Sequence, residues 1–415
     1  MSNSVPEGWV ESSLGNIADI RFSNVDKKSD FENEEPVKLC NYMDVYSNSK
    51  ITNSLPFMQA TAKDREIKKF SLLKNDVIIT KDSETPDDIA VSAYVSEDLK
   101  SVVCGYHLAM LRPEQSLISG EYLNHLFGLD DIQHYFYLLA NGITRFGLTT
   151  DAINNAYIIY PPLPEQKKIA AILTSVDTVI EKTQAQIDKL KDLKTGMMQE
   201  LLTKGIGHTE FKDSPVGRIP VEWEVKTIGD LANVKRGASP RPIKDKKWWG
   251  GNVGWIRISD VTASSKYLNK TTQYLSSEGV SKSIQIPKGE VILSICATIG
   301  RPIIINVDAC IHDGFVWFDK LNGSIDREYW YYFLASKESF LSAQRQSGTQ
   351  GNLNTTIVSE LICPLPPTSE QKKIASILSS IDKNVEEMQH KLLQTKSIKK
   401  ALMQDLLTGK VRVKV

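Results

Sequence analysis

Two long stretches of the chain place apolar residues at intervals that alternate between four and three, which is the spacing of a coiled-coil seam. Each stretch is interrupted once, at Lys194 and at Lys399, where we expect the neighbouring Leu193 and Ile398 to continue the apolar stripe. The pattern predicts two long helices. The positions that we assign to their seams are Ile169, Leu173, Val176, Ile180, Ile187, Leu190, Ile374, Leu378, Ile381, Val385, Leu392 and Leu402.

The two helical stretches are copies of one another. PPLPEQKKIAAILTSVD begins at residue 161 and PPTSEQKKIASILSSID begins at residue 366, an offset of 205 that holds to the endings MMQELLT and LMQDLLT. Thr368 with Gln371 matches a capping box at the start of the second copy. An offset that is maintained without a gap indicates an internal duplication.

The regions that precede each copy have a mixed pattern, in which short β-rich runs alternate with polar turns and helical patches. A length of 415 residues also argues for several domains, since single cores seldom exceed about 250 to 300 residues. The predicted fold class is mixed α/β (α+β), with two domain copies in a pseudo-symmetric arrangement, separated by two long antiparallel coiled-coil helices. We place the N-terminal domain, the central helix, the second domain and the distal helix at residues 1–160, 161–207, 208–365 and 366–415.

The packing of the two helices has two interpretations. Two seams in one chain most economically pack on each other, and a helix that covers one small domain rarely needs five heptads. About 39 residues that rise 1.5 Å each would form a stem of about 58 Å, which would act as a rigid spacer. The alternative, that each helix packs only on the domain beside it, stays open at this point.

The formal charge of the chain is zero, because 50 basic side chains balance 50 acidic ones. Taken alone, this number argues against binding to nucleic acid. The charges are unevenly distributed, however. Residues 1–160 carry 14 basic and 23 acidic side chains, residues 205–365 carry 19 and 16, and residues 366–415 carry 10 and 5. The zero is therefore the sum of an acidic first domain and basic later segments.

Several clusters of polar and basic side chains are candidates for contacts with DNA phosphates or base edges. In the second domain, a basic segment ends in paired tryptophans, although a solvated loop whose tryptophans return to the core is an equal alternative. In the first domain, a basic patch and a polar loop after a strand are candidates that could also be solvated surface. The candidate residues are Lys63, Arg65, Lys68, Lys69, Lys81, Ser83, Thr85, Arg145, Lys235, Arg236, Arg241, Lys244, Lys247, Trp248, Trp249, Gln350, Asn352 and Asn354.

Catalytic signatures are mostly missing from the sequence. It contains no phosphate-binding glycine loop, no methyltransferase N-P-P-[FY] segment and no histidine spacing typical of zinc sites. One loose match to a metal-dependent nuclease consists of Asp87, Asp98 and Lys100, which could bind Mg²⁺ and activate water. The nuclease pattern requires a strand at this position, whereas Asp87 lies in a predicted polar turn. We therefore interpret the match as chance and predict no catalytic residue and no metal ligand.

The cysteines and the apolar runs bear on the compartment. Five cysteines without a C-x-x-C spacing suit reduced thiols in a cytosol. The most apolar run, at residues 291–307, is interrupted by Arg301 and Pro302, and no basic segment followed by an apolar run opens the chain. We therefore expect a cytoplasmic protein without a membrane span.

The doubled motif P-P-x-x-E-Q-x-x-I-A-x-I-L-x-x-x-D, with the endings M-Q-x-L-L-T, resembles the specificity (S) subunit of prokaryotic type I restriction-modification systems. The resemblance covers essentially the whole chain. Residues 73–82 and 286–294 are similar to the strand "K-G-D-V-hydrophobic" of that family, and residues 347–356 are similar to its approach to the second helix. The first domain departs from this last pattern at residues 141–148.

The resemblance implies a DNA reader without enzymatic activity of its own, which acts in host defence within a larger complex. Each target recognition domain would read one half of a bipartite, asymmetric target in double-stranded DNA, and the helices would set the spacing between the halves. The implied partners are two modification (methyltransferase) subunits and the restriction (translocase and nuclease) subunits. S-adenosylmethionine, ATP and Mg²⁺ would bind to those partners, and no cofactor would bind to this chain.

Two hypotheses from other classes remain. One is a nuclease that acts alone through Asp87, Asp98 and Lys100. The other is a non-enzymatic scaffold that binds two protein partners through its similar domains. Neither the target bases nor the length of the gap can be read from the sequence.

Overall fold

The fold is described from a computed structural model over residues 5–30, 32–344 and 353–414. The chain divides into two compact units, of which the first contains Met1–Gln184 with His390–Val415 and the second contains Ala185–Gln389. Each unit therefore combines one mixed α/β domain with one half of each long helix. Each long helix is divided between the two units. The four domain boundaries predicted from the sequence therefore do not correspond to the compact units, and they stay a prediction.

The first unit contains a mixed α/β domain that ends where the first long helix begins. Its strands are β1 (Val10–Ser13), β2 (Ala18–Phe22), β3 (Glu35–Cys40), β4 (Lys50–Ile51), β5 (Met58–Ala62), β6 (Val77–Thr80), β7 (Asp82–Ser83), β8 (Ser92–Val95), β9 (Val102–Cys104), β10 (Leu108–Pro113), β11 (Asn141–Gly142), β12 (Phe146–Gly147) and β13 (Tyr157–Tyr160). Its helices are α1 (Leu14–Ile17), α2 (Tyr42–Tyr46), α3 (Asp64–Phe70), α4 (Gly120–Leu126), α5 (Asp130–Leu139), α6 (Thr150–Asn154) and the start of α7 (Leu163–Lys204).

The second unit contains a domain of the same kind. Its strands are β14 (Phe211–Lys212), β15 (Ile219–Pro220), β16 (Glu224–Thr227), β17 (Asn233–Arg236), β18 (Trp249–Ile256), β19 (Tyr267–Leu268), β20 (Gln273–Leu275), β21 (Ile284–Ile286), β22 (Val291–Ser294), β23 (Pro302–Ile305), β24 (Ala309–Ile311), β25 (Phe315–Asp319) and β26 (Ile362–Leu365). Its helices are α8 (Ile228–Leu231), α9 (Ile258–Thr262), α10 (Ser277–Ser281), α11 (Arg327–Ser336), α12 (Glu338–Ala343), α13 (Thr355–Ser359) and the start of α14 (Thr368–Leu406).

The two domains share one sheet topology. The strand order β2-β10-β6-β8-β4 in the first domain matches β17-β25-β22-β23-β19 in the second, and only the last pair of each sheet is parallel. A second sheet, β5-β3-β9, matches β20-β18-β24, which gains β21 at its edge. The duplication that the helices reveal in the sequence therefore extends to both domains, whose sequences resemble each other only weakly. The predicted fold class is confirmed.

The long helices pack on each other within each unit. In the first unit, Ile169 and Leu173 of α7 share an apolar cluster with Met403 and Leu406 of α14. The second unit brings the other halves together, since the C-terminal part of α7 and the N-terminal part of α14 share one cluster. Because the beginning of each helix packs on the end of the other, the helices run antiparallel. The same clusters include domain residues, so each helix also covers the domain beside it.

The predicted seam positions differ in burial. Those that are buried are Ile169, Leu173, Ile187, Ile374, Leu378, Ile381 and Leu392. Those that are half-buried are Val176, Ile180, Leu190, Val385 and Leu402. The prediction that Leu193 and Ile398 continue the apolar stripe is wrong, because they are 51% and 56% exposed. Lys194 and Lys399 stay in the seam instead, where their alkyl chains can pack while their ammonium groups bind aspartates of the opposite helix.

The glutamate of the repeated motif holds each helix start to the end of the other helix. Glu165 accepts hydrogen bonds from Nε and Nη2 of Arg412 at 2.9 and 2.8 Å. This guanidinium holds the pKa of the Glu165 carboxyl below its ordinary value. Glu370 accepts a hydrogen bond of 3.0 Å from the indole N–H of Trp223 and lies 2.9 Å from Nε2 of His208. Arg412 follows α14 and His208 follows α7, so the two contacts are equivalent.

The glutamine of the motif joins each helix start to its domain. The side-chain oxygen of Gln166 accepts the backbone N–H of Ser119, and that of Gln371 accepts the backbone N–H of Asp326, at 2.9 and 2.8 Å. Ser119 and Asp326 are the residues just before α4 and α11. Because Gln371 is used here, it does not form the predicted capping box with Thr368. The repeated Glu-Gln pair is explained by these two contacts.

Candidate nucleic-acid interface

Two segments of the first domain that are far apart in the sequence meet at one cavity. Strand β7, which follows the central strand β6, pairs with β12 through Ser83 and Phe146. This pairing brings the loop after β6 next to the segment where the family pattern is not followed. The cavity measures about 450 Å³ and is lined by Tyr42, Met43, Tyr46, Asp82, Ser83, Glu84, Thr85, Asp88, His107 and Arg145. The predicted residues Ser83, Thr85 and Arg145 thus lie together.

The predicted contact Lys81 is not part of the exposed surface. Its ammonium lies 2.9 Å from a carboxylate oxygen of Asp82 and 4.7 Å from the centre of the Tyr106 ring, and the residue is buried. The same oxygen of Asp82 lies 2.9 Å from Nδ1 of His107. The charge of Lys81 is already bound inside the domain, and its contact with DNA stays a prediction. Arg145 is exposed and has no ion pair within the described residues.

The predicted basic patch of the first domain forms one exposed surface on helix α3. Lys63 precedes the helix, and Arg65, Lys68 and Lys69 lie on it. A shallow depression of about 680 Å³ is lined by Arg21, Asp64, Arg65, Lys68 and Lys69. Arg21, which the sequence reasoning missed, lies on β2 and donates to the Lys69 carbonyl at 2.7 Å. Nothing in the sequence around Arg21 indicates that this residue lies beside α3.

Most of the predicted basic residues of the second domain are paired with acids. The ion pairs are Lys235 with Asp319 at 2.5 Å, Arg241 with Asp313 at 3.3 Å and Lys247 with Asp245 at 3.4 Å. Arg236 donates from Nε to the Asp313 carbonyl at 2.6 Å. Lys244 is exposed, and the described residues offer it no ion pair. The segment is therefore less basic, as a surface, than its sequence suggests.

The paired tryptophans of that segment have different surroundings. Trp248 is buried in a small cluster with Trp255 and Leu275, and its indole N–H donates to the Pro242 carbonyl at 2.9 Å. Packing removes the Trp248 ring from the surface, as the alternative for the tryptophans expects, and its contact with DNA stays a prediction. Trp249 is half-buried and lines a cavity of about 360 Å³. The walls of this cavity are Ser239, Ile243, Trp249, Trp255, Arg257, Gln273 and His312.

The two cavities lie at equivalent places in their domains. His107 lies between β9 and β10, and His312 lies between the matching strands β24 and β25. Nδ1 of His312 accepts the backbone N–H of Gly314 at 2.8 Å, and burial lowers the pKa of this histidine. Sequence reasoning missed both histidines as cavity residues, because only the sheet pairing shows that their loops correspond.

The remaining candidate residues for DNA contact, Gln350, Asn352 and Asn354, lie in the sequence between α12 and α14. Asn354 precedes α13, and its side-chain oxygen accepts the backbone N–H of Ile357 at 2.8 Å. A contact of this oxygen with DNA would compete with the helix cap. Gln350 and Asn352 lie outside the described residues.

The structure also bears on the nuclease alternative and on membranes. Asp87 lies in a 3₁₀ turn at Pro86–Asp88, whereas Asp98 and Lys100 lie between β8 and β9. Over the described ranges, no group of three or more histidine, cysteine or acidic side chains could hold a metal ion. Within the same part of the chain, no helix has the length and apolar character needed to cross a membrane.

A protein-family model matches most of the chain. The family model described as "Type I restriction modification DNA specificity domain" matches residues 6–192 and 220–396. The two matched segments together make up most of the chain, and each contains one domain with the adjoining helix.

Curated relatives agree with this match. The chain is 26% identical over 420 residues to the putative type I restriction enzyme MjaX specificity subunit of Methanocaldococcus jannaschii, with 99% of this chain and 95% of the relative covered. It is 32% identical over 276 residues to the MjaVIII specificity subunit of the same organism, with 63% of each chain covered. It is 23% identical over 483 residues to the HindI specificity subunit of Haemophilus influenzae, with 97% and 99% covered.

Solved structures share the fold. The S subunit of a type I restriction-modification system from M. genitalium superposes with a TM-score of 0.58 at 14% identity, over 98% of this chain and 97% of that one. A chain from a study of complex assembly and conformational transition of the type I R-M system gives a TM-score of 0.60 at 19% identity, over 98% and 100%. Neither the nuclease nor the scaffold hypothesis finds support in these comparisons.

Proposed function

The chain belongs to the type I restriction modification DNA specificity family, and from this membership we propose that it reads a bipartite, asymmetric DNA target, one half with each domain. The main support for the proposal is that the two domains share one sheet topology but present different surfaces. The strands repeat in the same order, while the cavities beside His107 and His312 have different linings. Two domains with the same fold but with different side chains at their cavities would recognise two different half-sites.

The exposed cations supply the sequence-independent part of binding. Arg65, Lys68 and Lys69 on α3 suit DNA phosphates, as does Lys244 in the second domain. Other candidate cations, namely Lys235, Arg241 and Lys247, are held in ion pairs within the second domain, and the chain as a whole has zero net charge. We infer that positively charged residues of the partner subunits contribute to DNA binding.

The long helices serve as the spacer between the half-sites and as the docking surface for the partners. Helix α7 contains 42 residues, which corresponds to about 63 Å at 1.5 Å per residue. At 3.4 Å per base pair this length equals about 18 base pairs, enough for half-sites that are separated by a helical turn. The seam that packs the two helices together supports their action as one rod.

The chemistry of the system belongs, in this proposal, to the other subunits. Two methyltransferase subunits that bind S-adenosylmethionine would modify adenines, and restriction subunits that use ATP and Mg²⁺ would translocate and cleave. This chain would contribute recognition, bind no cofactor and catalyse no step. We place the complex in the cytoplasm, together with the DNA that it reads.

Mapping of methylated bases in the host genome tests the proposal. Genomes from cells with and without the chain are sequenced by a single-molecule method that detects methyladenine. We expect a split motif with two unlike halves and a constant gap, which disappears when the chain is deleted. An unchanged methylation pattern after deletion would contradict the proposal and favour the scaffold.

A second measurement addresses the nuclease. The purified chain is incubated with DNA and Mg²⁺ in the absence of partners, and we expect no cleavage. Cleavage that is lost on substitution Asp98→Ala would establish the nuclease instead, whereas cleavage that persists in this variant would identify a contaminant.

A further inference from the structure

Two hydrogen-bonding side chains, those of Arg257 and Gln273, line the cavity of the second domain. The guanidinium of Arg257 is exposed and the amide of Gln273 is half-buried, and neither group has a side-chain hydrogen bond or ion pair to the described residues. They lie at the ends of separate elements, since Arg257 immediately follows β18 and Gln273 opens β20. Strand pairing places Gln273 directly opposite Trp255, and Arg257 lies two residues after Trp255. The side chains of Arg257 and Gln273 therefore line the same cavity.

Aromatic rings form the wall behind these donors. The rings of Trp249 and Trp255 meet edge to face with centroids 6.1 Å apart, and the His312 ring lies 5.8 Å from that of Trp255. Since Nδ1 of His312 accepts a backbone N–H, its neutral ring carries the proton on Nε2 and adds a donor. Apolar and aromatic walls with a few directed polar groups are typical of a binding site.

The acids beside this site are bound to other groups. The Asp260 carboxylate accepts the backbone N–H groups of Arg257 and Thr272 at 2.9 and 3.2 Å. The carboxylate of Asp313 accepts a hydrogen bond of 2.6 Å from Ser239, and this bond holds the pKa of Asp313 below its ordinary value. Arg241 also contacts that carboxylate, at 3.3 Å. The acid is thus occupied by other groups, and no carboxylate lines the cavity within the described residues.

The equivalent cavity of the first domain is more acidic. It is lined by Asp82, Glu84 and Asp88 together with Arg145. Asp88 accepts a hydrogen bond of 2.6 Å from Tyr46. Carboxylates repel phosphate and accept hydrogen bonds only, whereas the second domain offers donors from arginine, glutamine and histidine. Equivalent places in one duplicated frame therefore have different ligand preferences.

We propose that the cavity formed by Trp249, Trp255 and His312 is a base-reading site, in which Arg257 and Gln273 bind the major-groove edges of purines. Arginine binds O6 and N7 of guanine in a bidentate manner, and glutamine binds N6 and N7 of adenine. The proposal rests on the proposed function, because it assigns part of one half-site to this cavity. It makes Arg257 and Gln273 specificity-determining residues, and it gives the second half-site a guanine and an adenine.

The test uses the complex of the full chain with its methyltransferase partner. The complex selects targets from a DNA library in which every position of both half-sites is randomised, and bound molecules are sequenced. We expect Arg257→Ala to lower the preference for guanine at one position of one half-site by about 10- to 100-fold. Gln273→Ala should do the same for adenine at a second position of that half-site.

Arg257→Lys separates base reading from phosphate binding. Lysine keeps the charge but loses the planar fork, so the variant should lose most of the guanine preference while the salt dependence of binding stays unchanged. A phosphate contact would give the reverse, with base preference intact in every variant and a flatter salt dependence in Arg257→Ala. That result would overturn the proposal.

Controls make the outcomes distinct. Arg218→Ala removes an exposed arginine of the second unit that does not line the cavity, and its base preferences should equal those of the wild type. The half-site read by the first domain is an internal control and should be unaffected. Changes spread over both half-sites would contradict the assignment. A wild-type complex without any split preference would instead refute the proposed function itself.

Discussion

The ammonium group of Lys194 lies 2.5 Å from a carboxylate oxygen of Asp382, across the antiparallel pair formed by α7 and α14. The duplicated positions repeat the contact, with Lys399 lying 2.6 Å from Asp177. The other oxygen of Asp382 accepts a hydrogen bond of 2.6 Å from the Tyr332 hydroxyl of the second domain. One carboxylate thus joins both helices and a recognition domain, so the interruption of each seam is a specific polar contact.

Removal of the charge at Lys194 should destabilise the second unit. We expect Lys194→Met to lower the free energy of unfolding by about 1 to 2 kcal/mol, less than the roughly 3 to 5 kcal/mol found at fully buried pairs, because these side chains are 27% and 20% exposed. The double variant Lys194→Met with Asp382→Leu should recover only part of the loss, since no charge is left unpaired but the Tyr332 hydroxyl loses its acceptor. Urea unfolding provides the measurement.

A solvent-exposed ion pair on α14 is the matched control for this experiment. Lys383 and Glu387 are 3.7 Å apart, with side chains 77% and 58% exposed. Lys383→Met should change the stability by less than about 0.5 kcal/mol. Equal effects of the two methionine substitutions would show that the seam contact has no special role.

His125 should make the stability of the first unit depend on pH. Its Nε2 lies 3.1 Å from the Thr174 hydroxyl, and burial lowers its pKa to about 4, against the opposing effect of Asp177 and in the same direction as Lys399. The unfolded chain binds this proton first, at a pKa of about 6.5. Stability should therefore be full above about pH 6.5 and fall by about 2 to 3 kcal/mol as the pH decreases toward 4.

The variant His125→Gln isolates this contribution. Glutamine does not titrate, so the difference between the pH profiles of variant and wild type should show the decline between about pH 6.5 and about pH 4. His390→Gln, at an exposed position of α14, should leave the profile unchanged. Parallel profiles for His125→Gln and wild type would contradict the prediction.

The basic surface on α3 should act through phosphates. The double variant Lys68→Ala with Lys69→Ala should weaken binding of the partner complex equally for all sequences. The slope of log affinity against log salt should become flatter by about 1.8, because each phosphate that a lysine no longer neutralises accounts for about 0.9. Lys74→Ala with Lys100→Ala, which removes two exposed lysines outside this patch, should keep the wild-type slope. Altered base preference in the α3 variant would argue against a phosphate role.

Longer helices should widen the gap between the half-sites. Because α7 and α14 are antiparallel, seven residues must be added to both, after Gln184 and after Gln389. The added rise of about 10.5 Å should lengthen the preferred gap by about three base pairs. An insertion into α7 alone should leave its heptad without a partner and lower stability. Methylation mapping with the doubly extended chain reports the gap, and an unchanged gap would refute the spacer.

Local and periodic features of the chain were sufficient for much of the fold. The heptad spacing of residues such as Ile169 and Ile374 depends only on helix geometry, and the 205-residue offset needs no structure to be recognised. The end of α7 at Lys204 is likewise marked by Gly205, which has a φ of +66°. Such signals lie in neighbouring residues, so the sequence alone contains them.

The sequence by itself determined the duplication, the two helices, the fold class and the family. Only the tertiary structure decided which polar side chains are free to act. Lys81 and Trp248 looked like surface residues, yet strand pairing and packing bury them, whereas Arg257 and Gln273 carried no signal and meet at a cavity. The physical reason is that helix periodicity is a property of adjacent residues, while burial, ion pairing and the meeting of distant loops depend on contacts between segments far apart in the chain.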